Sequence, residues 1–179
     1  MRVAFSGTHR TGKTTLLEAV HSRMPGYDSV PEPYRLLENE GHESSDPPSA
    51  EDFQRQLRRS IEAIERSSVK TLFDRCPVDF VAYLQALDEA CDLEEHLDAI
   101  RSSMKRLDLV VVVSLESPDR IDVPAHEDKR MRRRVDRLLQ ALLFDDPYDL
   151  EVPTLEVAGT LDQRIVQVLR RLDREPGPG

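Results

Sequence analysis

Residues 7–14 read Gly-Thr-His-Arg-Thr-Gly-Lys-Thr, and no other stretch constrains the chain as strongly. They satisfy the spacing G-x-x-x-x-G-K-[S/T] in full. A short apolar run, Val3–Ser6, precedes them, and a helical pattern, Thr14–Met24, follows until Pro25-Gly26 stops it. Glycines at that spacing let the backbone wrap its N–H groups around an anion. Lys13 adds a point charge for β- and γ-phosphates, and the Thr14 hydroxyl is a ligand for Mg²⁺. The N-terminus of the following helix favours the same anion. Gly7, Thr8, His9, Arg10, Thr11, Gly12, Lys13, Thr14 and Thr15 are therefore the candidate nucleotide-binding residues. Inside the loop, His9 and Arg10 read either as solvated spacers or as phosphate contacts; Thr15 reads as a packing or capping residue.

A strand–loop–helix start calls for more of the same, and the chain supplies it. Short apolar runs at Asp28–Val30, Val69–Phe73, Leu109–Val113 and Leu155–Val157 alternate with helical patterns. Phe53, Leu57, Ile61 and Ile64 recur at helical spacing, with Ser49 or Ser44-Ser45 as upstream caps; Pro77–Ala90, Leu93–Met104 and a last segment to Leu172 continue the series. Leu109–Val113 is apolar throughout, as suits a strand covered on both faces. The expected fold is α/β: a three-layer P-loop NTPase fold, a five-stranded parallel sheet with helices on both faces. One domain should span 1–173, with 174–179 as a frayed tail. The interval 117–147, long for a crossover and rich in arginine, is expected to be a lid insertion.

Ligands of open parallel sheets bind beyond the carboxyl ends of the strands. Glu32 follows the second strand and Asp74-Arg75 ends the third, so two carboxylates and a guanidinium should share one sheet edge with the loop. Asp74 is the candidate partner of Thr14 for Mg²⁺; as an alternative it caps the helix that starts at Pro77. Arg75 reads as a phosphate or acceptor clamp, or as a surface charge. Glu32 sits between Pro31 and Pro33, which fix φ on either side; rigid presentation suits a general base or an anchor for an acceptor hydroxyl. A solvated glutamate in a proline-rich turn is the plainer reading.

From these residues onward the chain resembles the deoxyribonucleoside kinases. Val30-Pro31-Glu32-Pro33 followed by Tyr34-Arg35-Leu36-Leu37 is similar to their segment after strand two, where the glutamate is the base. Phe53-Gln54 is similar to their helix-three pair, in which the glutamine reads a nucleobase edge. Asp74-Arg75-Cys76 resembles their Glu-Arg-Ser, and Asp79 resembles a nearby aspartate. The pattern also resembles nicotinamide riboside kinase-like ATP-binding proteins, where Pro-Glu-Pro/Ala and Asp-Arg…Asp…Ala-Tyr segments recur. The resemblance implies ATP with Mg²⁺ as cofactors and Glu32, Gln54, Arg75 and Asp79 as the acceptor side. Two positions depart from it: Asp79 lies one residue closer to the strand-three acid, and Ile61 stands where those kinases carry an arginine. Both fall on groups that hold a nucleobase, so the donor machinery carries over further than the acceptor machinery.

Residues 129–137, Lys-Arg-Met-Arg-Arg-Arg-Val-Asp-Arg, carry six basic side chains and one acid. Val135, Leu138, Leu139, Leu142 and Leu143 form an apolar stripe, from which the arginines should project. As a lid the segment would bring an arginine to the transferring phosphoryl group, and Arg130 and Arg134, one turn apart, are the candidates. A solvated basic face and a nucleic-acid patch are the alternatives. The net charge of −9 argues against a polyanionic partner. Two cysteines, Cys76 and Cys91, read as packing thiols, and the absence of a signal segment or long apolar run points to a cytoplasmic protein without a membrane partner. The lysine, two strand-end carboxylates and arginine-rich segment together lead to ATP-dependent phosphoryl transfer to a small-molecule hydroxyl. A polynucleotide 5′-hydroxyl kinase and a nucleotide-responsive regulator without an acceptor are the alternatives. No Asn-Lys-x-Asp guanine motif is present to decide between ATP and GTP.

Overall fold

A computed structural model describes residues 1–87, 93–116 and 128–174. Five strands, β1 (Arg2–Ser6), β2 (Asp28–Val30), β3 (Thr71–Asp74), β4 (Leu109–Val113) and β5 (Thr154–Val157), form one parallel sheet in the order β2-β3-β1-β4-β5. Among the described residues seven helices connect or flank them: α1 (Lys13–His21), α2 (Pro33–Asn39), α3 (Ala50–Glu65), α4 (Pro77–Ala86), α5 (Leu93–Met104), α6 (Lys129–Gln140) and α7 (Leu161–Leu172). A π-helical turn, Ala141–Asp145, extends α6.

Strand alternation sorts the core into two layers. Ala4, Phe73, Val110 and Val112 point to the side covered by α3, α4, α5 and α6. Their chain neighbours Val3, Phe5, Leu72, Leu109, Val111 and Val113 point to the side covered by α1 and α7. The sheet is thus buried on both faces, as the near-continuous apolar run of β4 requires. β1 lies between β3 and β4, with Phe5 in register with Asp74 on one side and Val111 on the other. That register brings the loop after β1 and the acid ending β3 to the same edge.

Several boundaries differ from the sequence pattern for local reasons. Val69 was expected in β3 but is exposed; Ser68 and Thr71 form a side-chain-bonded turn there, and pairing begins at Thr71. Pro31-Glu32-Pro33, expected only to end β2, also starts α2. Pro33 occupies N1, where its missing N–H costs nothing, and the Glu32 carbonyl accepts from Arg35 and Leu36. Of the expected lid interval, 128–147 is described as α6, the π-helical turn and a short loop; 117–127, together with Cys91 and the tail from 175, lies outside the described residues.

The start of α3 is fixed by a full capping box. Ser49 Oγ accepts from Asp52 N, and Asp52 Oδ2 accepts from the N–H and hydroxyl of both Ser49 and Ser45. Burial pushes the Asp52 carboxyl up, but these four donors outweigh it and bring it down to about 2. A depressed acid contributes stability that is present above its ordinary value of 3.8 and is lost as pH falls toward 2. Asp52→Asn is therefore expected to cost about 1 kcal/mol at pH 7, a fall of roughly 2–4 °C in thermal midpoint. The gap to wild type should close as pH falls from 4 to 2. Thermal melts across that range check it; a gap independent of pH would contradict the role assigned to the carboxylate.

Candidate active site

The loop after β1 leaves the sheet under tight steric limits. Gly7 has φ 147°, and a Cβ there would stand 2.4 Å from the Val113 carbonyl oxygen of the adjacent strand. Gly12, at φ 86°, is the N-cap of α1. Both glycines are thus required by geometry and not only by the spacing of a motif.

The carbonyls of the loop are held by side-chain donors. Arg75 Nη1 donates to Gly7 O at 3.0 Å. Lys13 Nζ and Thr11 Oγ1 donate to Thr8 O at 3.0 and 3.1 Å. Arg132 donates to His9 O and Arg10 O, both at 3.1 Å, and Arg164 to Thr11 O at 2.7 Å. Five successive carbonyls are engaged this way. Fixing them orients the peptide planes, the condition for N–H groups to converge on an anion. Thr8 is fully buried, Arg10 is exposed with φ 55°, and Thr14 and Thr15 are exposed at the first turn of α1.

Lys13, the candidate cation for the β- and γ-phosphates, is only 5% exposed. Burial, assisted by the Arg75 charge, lowers its ammonium to about 8 against the pull of Asp74, Glu32 and Asp79. The Thr14 hydroxyl donates to Asp74 Oδ2 at 2.5 Å. Asp74 Oδ1 is buried and has no hydrogen-bond partner among the described residues. Burial raises the Asp74 carboxyl, although Lys13 and Thr14 act against it. A bare carboxylate oxygen beside a threonine hydroxyl is an oxygen donor set suited to a hard divalent cation. Thr14 and Asp74 thus fit Mg²⁺.

Arg75 lies just after β3 with φ 78°, an uncommon conformation for a side-chain-bearing residue. Its N–H continues the sheet ladder to Phe5 O, and its guanidinium is buried against Glu32, Asp79 and Gly7 O. The Arg75–Glu32 pair joins the ends of β3 and β2. Burial acts to raise the Glu32 carboxyl, but Arg75 and then Lys13 pull it below its ordinary value. Asp79, expected on the acceptor side, is 0% exposed. Its carboxylate accepts from Gly7 N, Arg75 and Cys76 N, so it braces the loop and Arg75 and does not face a ligand. The Cys76 thiol, pushed up by burial and by Asp79, rests against the same carboxylate. Gln54 is half-buried on α3.

The arginine-rich helix differs from expectation in one respect. Arg132 was expected to project outward, but it is 3% exposed and bonded to the loop. Its spacing to Val135 and Leu139, both buried, puts it on the inward stripe. Arg130 is exposed, and Arg134 donates to Gln85 O at 3.4 Å in the last turn of α4. Two further residues carry no motif signal: Arg164, and Glu116, which accepts from Arg164 and from Gly159 N; Tyr83, the tyrosine of the Ala-Tyr segment, meets His9. Arg164 was detectable only as a cation beside the apolar stripe of α7.

Residues 2–164 match the family described as AAA domain. The chain belongs to this family. No curated protein matches it significantly. Among solved structures, deoxyadenosine kinase from M. mycoides with bound dATP superposes with TM-score 0.66 at 15% identity, over 97% of this chain and 100% of that one. Thymidylate kinase from Candida albicans gives 0.64 at 16%, over 96% and 90%. NadR in complex with NAD and AMP-PNP gives 0.68 at 20%, over 99% of this chain and 51% of that one, so the AAA domain described here spans about half of NadR. At these identities the likeness establishes the P-loop kinase fold. No helix among the described residues is long and apolar enough to cross a membrane.

The desolvated Lys13 gives a test that separates function from stability. A lysine lowered to about 8 from 10.5 destabilises the fold while charged, and that cost falls as pH rises from 8 toward 10.5, because the unfolded chain then binds more protons. Lys13→Met is expected to raise the thermal midpoint of the nucleotide-free protein by roughly 2–4 °C at pH 7. The gain should shrink toward pH 10, and MgATP-dependent turnover should fall by at least about 10². A lowered midpoint at pH 7, or turnover near wild type, would contradict this account of Lys13.

Proposed function

We propose that this AAA-domain protein transfers the γ-phosphoryl group of ATP to a hydroxyl of a small molecule, of nucleoside or ribosyl type. One observation carries the reading: two strand-end carboxylates sit in opposite environments beside the loop. Asp74, next to Thr14, has one oxygen without a hydrogen-bond partner among the described residues, whereas Glu32 is ionised and oriented by Arg75. Pairs of acids pushed apart in this way mark divided roles. The fold shared with deoxyadenosine and thymidylate kinases supports a phosphotransferase, and the resemblance around Glu32 and Gln54 supports the acceptor class.

Thr14 and Asp74 would hold Mg²⁺, which supplies charge neutralisation on the β- and γ-phosphates when bound. Lys13 leaves Thr8 O and turns its ammonium to the same phosphates. The loop N–H groups bind and orient the triphosphate. The acceptor oxygen forms a bond to the γ-phosphorus, the bond from that phosphorus to the bridging oxygen breaks, and ADP leaves. The hydroxyl proton passes to the Glu32 carboxylate, late in a loose transition state. Arg75 holds Glu32 in place; Gln54 orients the acceptor. Arg130 and Arg134 meet the charge on the transferring group, while Arg132 stays with the loop.

Glu32→Gln is expected to leave MgATP affinity and Mg²⁺ dependence nearly unchanged while kcat falls by roughly 10²–10⁴, the scale of a positioned base. Asp74→Asn should instead shift the Mg²⁺ requirement upward. Titrating turnover against Mg²⁺ for both variants, with thermal midpoints alongside, separates the roles. Normal kcat in Glu32→Gln, or a Mg²⁺ defect in that variant, would require the roles to be exchanged or dropped.

A further inference from the structure

Helix α4 grips the phosphate loop at two points one turn apart. Asp79 Oδ1 accepts from Gly7 N at 3.1 Å, and Tyr83 Oη accepts from His9 N at 3.1 Å. Spacing of four residues puts both side chains on one face of the helix. The Tyr83 oxygen is also 3.1 Å from His9 Nδ1. The hydroxyl can thus accept from the His9 N–H and also bond the imidazole, whose Nδ1 lies 3.5 Å from Thr8 Oγ1 as well. The ring is fixed from other sides. It stacks on Phe53 with centroids 4.7 Å apart at 11°, and the Arg75 guanidinium carbon lies 5.4 Å from its centroid. Phenylalanine would pack there equally well, so packing alone does not explain the hydroxyl.

The peptide that Tyr83 holds is the one between Thr8 and His9. Its N–H goes to Tyr83, and its carbonyl accepts from Lys13 Nζ and Thr11 Oγ1. When Lys13 turns to a phosphate, that carbonyl loses one of its two donors. The Tyr83 bond then carries more of the work of keeping the peptide plane from rotating, so the hydroxyl matters more with nucleotide bound than without. We propose that Tyr83 is a positioning residue for the triphosphate: it holds the Thr8–His9 peptide in the orientation that nucleotide binding needs. Because the same ring touches Arg75, the partner of Glu32, it also ties the donor loop to the acceptor side. This inference rests on the loop binding ATP.

Isothermal titration of MgATP into wild type, Tyr83→Phe, His9→Ala and the double variant tests it, with thermal midpoints of the nucleotide-free proteins as the measure of fold. Tyr83→Phe keeps the ring and should weaken MgATP about fivefold, the net worth of one hydrogen bond, with its midpoint within roughly 4 °C of wild type. His9→Ala keeps the backbone N–H, so adding Tyr83→Phe to it should cost a similar factor again. MgATP affinity unchanged in Tyr83→Phe would overturn the proposal. So would a loss that disappears in the His9→Ala background, which would trace the effect to the imidazole. If wild type itself fails to bind MgATP, the ATP reading of the loop falls and the proposal with it. A binding wild type with an unaffected Tyr83→Phe sinks the proposal alone.

Discussion

The site depends on how the carbonyls of residues 7–11 are occupied. A peptide plane has two ends, and a loop can offer N–H groups to an anion only if its oxygens are satisfied elsewhere. Three buried or nearly buried arginines from three different elements do most of this: Arg75 from the end of β3, Arg132 from α6 and Arg164 from α7. Arginine suits the task because its planar fork reaches two acceptors at once and stays charged when buried. Each also ties the loop to a further part of the molecule. Arg75 reaches Glu32 and Asp79, and Arg164 reaches Glu116, which receives the Gly159 N–H. The loop is therefore as rigid as the sheet edges and helices that hold it.

That arrangement sets the electrostatics of the two acids. Arg75 lies closest to Glu32 and keeps it ionised, whereas Asp74 is left with burial as its dominant influence and one oxygen without a partner among the described residues. Lys13 is lowered by burial in a dry site and, after that, by the nearby Arg75 charge. A triphosphate with its cation would relieve both: anionic oxygens for Lys13 and a positive charge for Asp74. Before nucleotide binds, the site holds unfavourable interactions that binding removes, a common feature of functional positions.

The sequence made the sheet and the loop legible because each strand is a short apolar run and the loop obeys a strict spacing. Asp74 and Glu32 were placed at strand ends by the same logic; the register of β1 with β3 sets Asp74 beside the loop, and the pairing of β2 with β3 and the ion pair to Arg75 bring Glu32 to the same edge. What was not legible depends on side-chain direction. Pro33 reads equally as a stop or as the first residue of a helix, and only the fold decides. Arg132 lies inward because it shares a face with Val135 and Leu139, a pattern obscured by the basic residues around it. Asp79 and Tyr83 brace the loop from α4, far along the chain, and their contacts with Gly7 and His9 are long-range pairings that no local pattern encodes.

The proposed reaction moves the γ-phosphoryl group of ATP to a small-molecule alcohol. Incubation with γ-labelled ATP and Mg²⁺ across a panel of nucleosides, ribosides, nucleotides and oligonucleotides tests it directly, with products separated from inorganic phosphate. Label is expected in a stable phosphomonoester of a nucleoside or riboside, at least about 10²-fold less when Lys13 is replaced. Label released only as inorganic phosphate whatever acceptor is offered, or carried only by the oligonucleotides, would contradict it.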